Sequence, residues 1–174
     1  MTNKELSAAI QADLKKAGIP KAAYSIRVQF AGYERCITVK VKDITVNLDR
    51  VNRVLLHYQH VYWDERCMEV LAGGNTYAHA DYDYKMVDLE SERFLDRARE
   101  LMAADLPLWV GQVVATYSRN GHERELLFFK GDQYMVARKK GGYSGGNQRH
   151  YAGDVRSVAK ALALFDNLGM IPKC

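Results

Sequence analysis

The sequence predicts an α+β fold: antiparallel sheets with helices packed on one face, in the order α-β-β-α-β-α and then β-β-β-α. Two kinds of hydrophobic period carry this reading. Some segments repeat apolar residues at helical spacing, and others alternate apolar with polar residues as half-buried strands do. A third observation gives the strand direction. Short turn signals, among them Asn120-Gly121 and Gly131-Asp132, sit between neighbouring strands and favour hairpins.

Taken in order, Leu6, Ile10 and Leu14 make the apolar stripe of a first helix, which Gly18 and Pro20 end. Tyr24, Ile26, Val28 and Phe30 alternate with Ser25, Arg27 and Gln29 in a first strand. A turn at 31–34 leads to a second, in which Ile37, Val39 and Val41 alternate with Thr38, Lys40 and Lys42. Ile44, Val46 and Leu48 resume the alternation one residue out of phase, a slip that a β-bulge accommodates. Asn47 or Asp49 then caps a helix bearing Val51, Val54, Leu55 and Tyr58. Gly73-Gly74-Asn75 is a turn. Residues 77–84 form a strand with His79, Asp81 and Asp83 on one side and Ala78, Ala80, Tyr82 and Tyr84 on the other.

Asp88 opens a helix predicted to run to residue 104, with Leu89, Phe94, Leu95, Ala98, Leu101 and Met102 along its apolar stripe. The linker Asp105-Leu106-Pro107 is the expected boundary between two parts, 1–105 and 106–174. Beyond it, residues 110–117, 125–129 and 133–139 form a three-stranded meander. A glycine-rich loop, 139–150, follows. Asp154 caps a last helix carrying Val155, Val158, Ala159, Leu162, Phe165 and Leu168, and Gly169 ends it.

Composition excludes several classes. A hydrophobic fraction of 48% with 26% charged residues is globular and not disordered. No apolar run approaches the roughly 18–20 residues that a bilayer span needs. The opening Met1-Thr2-Asn3-Lys4-Glu5 is polar and reads as no signal peptide. Cys36, Cys67 and Cys174 are sparse, odd in number and unclustered, which argues for a reducing cytoplasm and against a disulfide or zinc framework. Residues 1–105 carry 15 Lys+Arg against 16 Asp+Glu, a net of −1, whereas 106–174 carry 10 against 5, a net of +5. A basic excess confined to one part suits an acidic or nucleic-acid partner, and also an ordinary solubilising surface.

Chemistry-bearing patterns are few. His57 and His60 lie three apart on a predicted helix, and His79, Asp81 and Asp83 share a strand side. Together they are the only metal-ligand pattern, but His-x-x-His alone fixes no coordination geometry, so a solvated surface is the preferred reading. Cys36 and Cys67 lack the paired base a nucleophile needs. Gly73-Gly74-Asn75-Thr76 has no following Lys-Ser/Thr and is no phosphate loop. No catalytic residue, metal or cofactor is therefore expected. The 139–150 loop is the better candidate: Lys139, Lys140 and Arg149 flank four glycines and Tyr143, a set that contacts phosphates, bases or protein surfaces. Tyr82 and Asp83 belong to a second tyrosine-rich, acidic stretch suited to an interface.

Residues 5–84 resemble the large polyvalent protein-associated domain of type twenty-nine. The resemblance is carried by Tyr24-Ser25-Ile26-Arg27-Val28, by Ile37-Thr38-Val39-Lys40-Val41 and above all by Gly73-Gly74-Asn75-Thr76-Tyr77. It covers a little under half of the chain and brings no catalytic residues. Such domains accompany phage and plasmid polyproteins. The resemblance implies a protein of a mobile genetic element acting in the cytoplasm of a bacterial host, where it inhibits a defence complex such as a CRISPR effector or restriction enzyme. The expectation is a non-enzymatic binding protein that works by surface occupation. Its expected partner-binding residues are Lys139, Lys140, Tyr143 and Arg149, with Tyr82 and Asp83 as a second surface. The alternative is a nucleic-acid-binding protein or autoregulator using the basic C-terminal part.

Overall fold

The computed structural model describes residues 1–119, 121–142 and 149–171. It is an α+β fold divided into two compact units, Met1–Asp83 and Tyr84–Cys174. Among the described residues no helix is long and apolar enough to cross a membrane.

The first unit begins with helix α1, Asn3–Lys16. Its start follows from a capping box: the Thr2 hydroxyl accepts the Glu5 N–H, and the Glu5 carboxylate accepts the Thr2 N–H. Leu6, Ile10 and Leu14 are buried as the helical spacing predicts. Strands β1, Tyr24–Ala31, and β2, Glu34–Val41, form an antiparallel hairpin. Where the alternation led to an expected strand at 44–48, the chain instead turns. The Asp43 carboxylate accepts both the N–H and the hydroxyl of Thr45, at 2.9 and 2.6 Å, and this local ring competes with sheet pairing. Asn47, rather than Asp49, caps helix α2, Leu48–Leu55, through a 2.7 Å bond from the Asp49 N–H.

A small hairpin follows, made of β3, Trp63–Asp64, and β4, Glu69–Val70. Strand β5, Thr76–Tyr82, then adds to β2 in parallel, giving the order β1-β2-β5. Parallel pairing needs a crossover, and α2 with the small hairpin supplies it. Helix α1 packs against β1 and α2, and α2 against β5. The core so formed includes Ile10, Leu14, Ile37, Val39, Val41, Val51, Leu55, Ala80 and Tyr82.

The second unit starts earlier than the linker at 105–107 suggested. Helix α3, Tyr84–Ser91, is followed by a 3-10 turn, Glu92–Phe94, and by α4, Leu95–Ala103. The predicted single helix is thus broken where the buried Ser91 hydroxyl donates to the Asp88 carbonyl at 2.7 Å. Both helices pack on the last helix, α5, Val155–Leu168, which is why they belong with the C-terminal sheet. Leu106 packs on the same core, and the Lys130 ammonium donates to the Ala104 carbonyl, so the supposed linker is held in place.

Strands β6, Gln112–Arg119, β7, His122–Phe129, β8, Tyr134–Lys139, and β9, Arg149–Tyr151, pair antiparallel in sequence order. A bulge lies between Val113 and Ala115. The stretch read as loop to residue 150 therefore contains the start of a fourth strand. Leu126, Phe128 and Met135 face α5, where Val158, Ala159, Leu162 and Phe165 meet them. Asp154 caps α5 through Ser157, and Gly169 at φ +63° ends it.

Candidate binding surfaces

The first unit concentrates its exposed apolar side chains at one end of its sheet. The β1–β2 hairpin tip carries Phe30 and Tyr33, the latter 90% exposed, and the Arg35 guanidinium lies 5.1 Å from the centre of the Phe30 ring. The β3–β4 hairpin carries Tyr62, Trp63 and Met68, all exposed.

Asn75 joins the two hairpins. It is 1% exposed, and every polar atom of its side chain is used. Its oxygen accepts the Tyr62 N–H at 2.8 Å. Its nitrogen donates to the Leu71 carbonyl at 2.7 Å and to the Glu34 carboxylate at 3.1 Å. The adjoining Gly74, at φ +77°, donates its N–H to the Tyr33 carbonyl at 3.1 Å. A side chain there would be strained and would sit 3.4 Å from the Tyr62 ring. Gly73-Gly74-Asn75 is thus more than a turn: it seats Tyr33 and Tyr62 on one rim.

The remaining sequence candidates in this unit separate. Tyr82 is 6% exposed, with its hydroxyl donating to the Val46 carbonyl at 2.8 Å. Burial and the nearby Asp49 and Asp43 hold its phenol well above the ordinary range. Its expected role in a partner surface is corrected on that ground: alternation along β5 turns the ring into the core. Asp83 lies just beyond β5, and its N–H donates to the Val41 carbonyl at 2.7 Å. Asp81 accepts from Lys40 at 3.0 Å and lies 3.5 Å from His79 Nε2. His57 and His60 do not share a helix. α2 ends at Leu55, His57 lies in the 3-10 turn Leu56–Tyr58, and His60 bridges to Thr76 while its ring meets Tyr62 edge-on. Among the described residues no group of three or more His, Cys, Asp or Glu side chains is placed to hold a metal ion. Cys36 is half-buried and Cys67 exposed.

In the second unit, the sheet face away from α5 carries Phe129, Tyr134, Arg138, Arg149 and Tyr151, as register and alternation require. Phe129 and Tyr134 stack with centroids 4.5 Å apart and planes 13° from parallel. The Arg149 guanidinium lies 4.4 Å from the Tyr134 centroid. Arg138 pairs with Glu125 at 2.9 Å, and Lys140 with Glu123 at 3.1 Å. Lys139 ends β8 on the opposite face from Arg138 by alternation, so the basic residues predicted to act together point to different sides. Tyr143 lies outside the described residues. The cation–aromatic stack was not foreseen; the signal for it was Tyr134 opposite an apolar strand, but the pairing to β9 was hidden in a glycine-rich segment.

Comparison with protein-family models, with curated proteins and with solved structures found no match.

Proposed function

We propose that this chain is a non-enzymatic binding protein of a phage or plasmid that acts in the bacterial cytoplasm by occupying the surface of a host defence complex, a CRISPR effector or a restriction enzyme. The observation that supports a binding role is the rim formed by Tyr33, Tyr62, Trp63 and Met68 on two hairpins tied together by Asn75. Exposed aromatic and methionine side chains grouped on one rim lower solubility unless a partner covers them, and such residues dominate protein interfaces. The Asn75 bonds order the rim before contact, which reduces the entropy lost on binding. The defence target and the mobile-element origin come from the resemblance alone.

The test is direct. A host carrying an active CRISPR or restriction system is challenged with a susceptible phage, with and without the chain expressed. Restored plaquing, together with stoichiometric recovery of the defence nuclease on the tagged chain after nuclease treatment, is the expected result. The double variant Tyr33→Ser, Trp63→Ser should lose both while keeping its fold, because both side chains are exposed. Unchanged defence across a panel of such systems would refute the inhibitor reading.

A further inference from the structure

The second unit carries a surface of different chemistry, and it stands independently of the rim in the first. Helices cover one face of its sheet. On the other, Leu127 and Val136 are buried, Tyr151 is 65% exposed, and Trp109, in the segment before β6, is 70% exposed. Trp109 lies against Gly131, in the turn that joins Phe129 to Tyr134. Tyr151 is the register partner of Tyr134 and folds across Gly153, where any Cβ would collide with its ring. Trp109 thus borders the turn that joins the two stacked residues, and Tyr151 is the strand neighbour of one of them.

Arg149 supplies the cation. Its guanidinium is stacked on Tyr134, and among the described residues it has no carboxylate or hydrogen-bond partner. The acidic groups of the same face are already taken, Glu125 by Arg138 and Glu123 by Lys140. A stacked guanidinium keeps its N–H edge available and loses little rotamer freedom when an anion arrives. The unit, residues 84–174, carries 14 Lys+Arg against 11 Asp+Glu, a net of +3, and the excess lies beyond residue 105, where 10 stand against 5; that part of the unit favours a polyanion.

We propose that this face binds single-stranded nucleic acid, with Trp109 and Tyr151 stacking on bases and Arg149 contacting the backbone phosphate. Flat apolar rings beside a cation whose one side-chain partner among the described residues is an aromatic ring match a chain that alternates unpaired bases with phosphates. An acidic peptide would satisfy Arg149 but would leave two exposed rings without flat partners. A duplex hides its base faces and cannot use them at all.

The experiment is fluorescence anisotropy of a labelled oligothymidylate of about 15 nucleotides, within the span such surfaces cover. Wild-type protein should bind at low salt and weaken as salt rises. Trp109→Ala and Tyr151→Ala should each weaken binding about tenfold. Arg149→Glu should abolish it, and Arg149→Lys should weaken it while retaining the salt dependence, because charge remains but the planar stack is lost. Lys15→Ala with Lys16→Ala, which removes two exposed charges from the first unit, should leave affinity within about twofold. In a Trp63→Phe background Trp109 is the sole tryptophan, and its emission should be quenched by the oligonucleotide. Circular dichroism controls for folding. Absence of binding at low salt overturns the proposal. So does affinity untouched by the Trp109 and Tyr151 changes, equal affinity for duplex, or loss of binding with the Lys15 and Lys16 changes alone.

Discussion

The Asn75 side-chain oxygen accepts the Tyr62 backbone N–H at 2.8 Å, and this bond fixes a two-stranded hairpin to the rim of a sheet. The same amide donates to Leu71 and Glu34, so one buried side chain closes both ends of the 62–71 segment. Asn75→Leu keeps the bulk and removes all three bonds. It should destabilise the first unit by about 2–3 kcal/mol, since the Tyr62 N–H and Leu71 carbonyl lose their partner. Trypsin should then cleave faster after Arg66, whose N–H is held by Asp64 at 2.8 Å within the hairpin. Wild-type cleavage rates in the variant would show that the clamp does not order this segment.

A second prediction concerns acid. His150 Nε2 lies 3.1 Å from the Ser157 carbonyl, and burial is the main cause of a pKa below the ordinary 6.5, with Lys160 adding to it and the Ser157 bond and Asp154 opposing. The folded state therefore binds this proton less readily than the unfolded state. Stability from this group is complete above pH 6.5 and falls as pH drops from there through the lowered folded value. Urea melts of the second unit at pH 7.5 and 5.5 should show the loss, and His150→Gln should flatten it. An equal slope in both proteins would assign the acid sensitivity elsewhere.

The Asp13 carboxylate gives a prediction of the same sign from a different cause. The Tyr58 hydroxyl donates to it at 2.6 Å and Lys16 at 3.0 Å, and these bonds, Tyr58 first, lower its pKa. Burial first, and then this bond, push the Tyr58 phenol up to about 12. The Asp13 contribution is present above pH 3.8 and lost as pH falls through the lowered value. Tyr58→Phe should move the Asp13 titration, followed by carboxyl-carbon NMR, back toward 3.8. An unmoved titration would assign the lowering to Lys16 and His57 instead.

Two aromatic side chains of the second unit should respond very differently to truncation. Phe128 is fully buried beneath α5, and Phe128→Ala should cost about 3–5 kcal/mol through lost burial and the cavity left behind. Trp109→Ala removes a larger ring from solvent and should change stability by no more than about 0.5 kcal/mol. Chemical denaturation of the two variants reads this contrast. Comparable losses would mean that Trp109 is part of a core.

Much of the fold is legible in the residues themselves. Leu6, Ile10 and Leu14 declared a helix, Ile37, Val39 and Val41 a strand, and Asp154 with Gly169 the two ends of α5. These signals act within a few residues, where side-chain period and local hydrogen bonding decide the conformation. Even locally, competition can reverse a period, as Asp43 does when it captures Thr45 and turns the chain away from a third β-strand.

Other features depend on partners far apart in sequence. The parallel addition of β5 to β2, the assignment of α3 and α4 to the second unit and the start of β9 at Arg149 are set by which apolar faces find each other. Tyr82 shows the difference within one side chain. The sequence determined its alternation with Asp81 and Asp83, but only tertiary packing turned its side inward, because the face that joins α2 loses its water and the other does not. Arg149 shows it for the candidate site: its charge is written in the chain, whereas the Tyr134 ring that orients it is supplied by a neighbouring strand, and only the pairing of β8 with β9 brings the two within 4.4 Å.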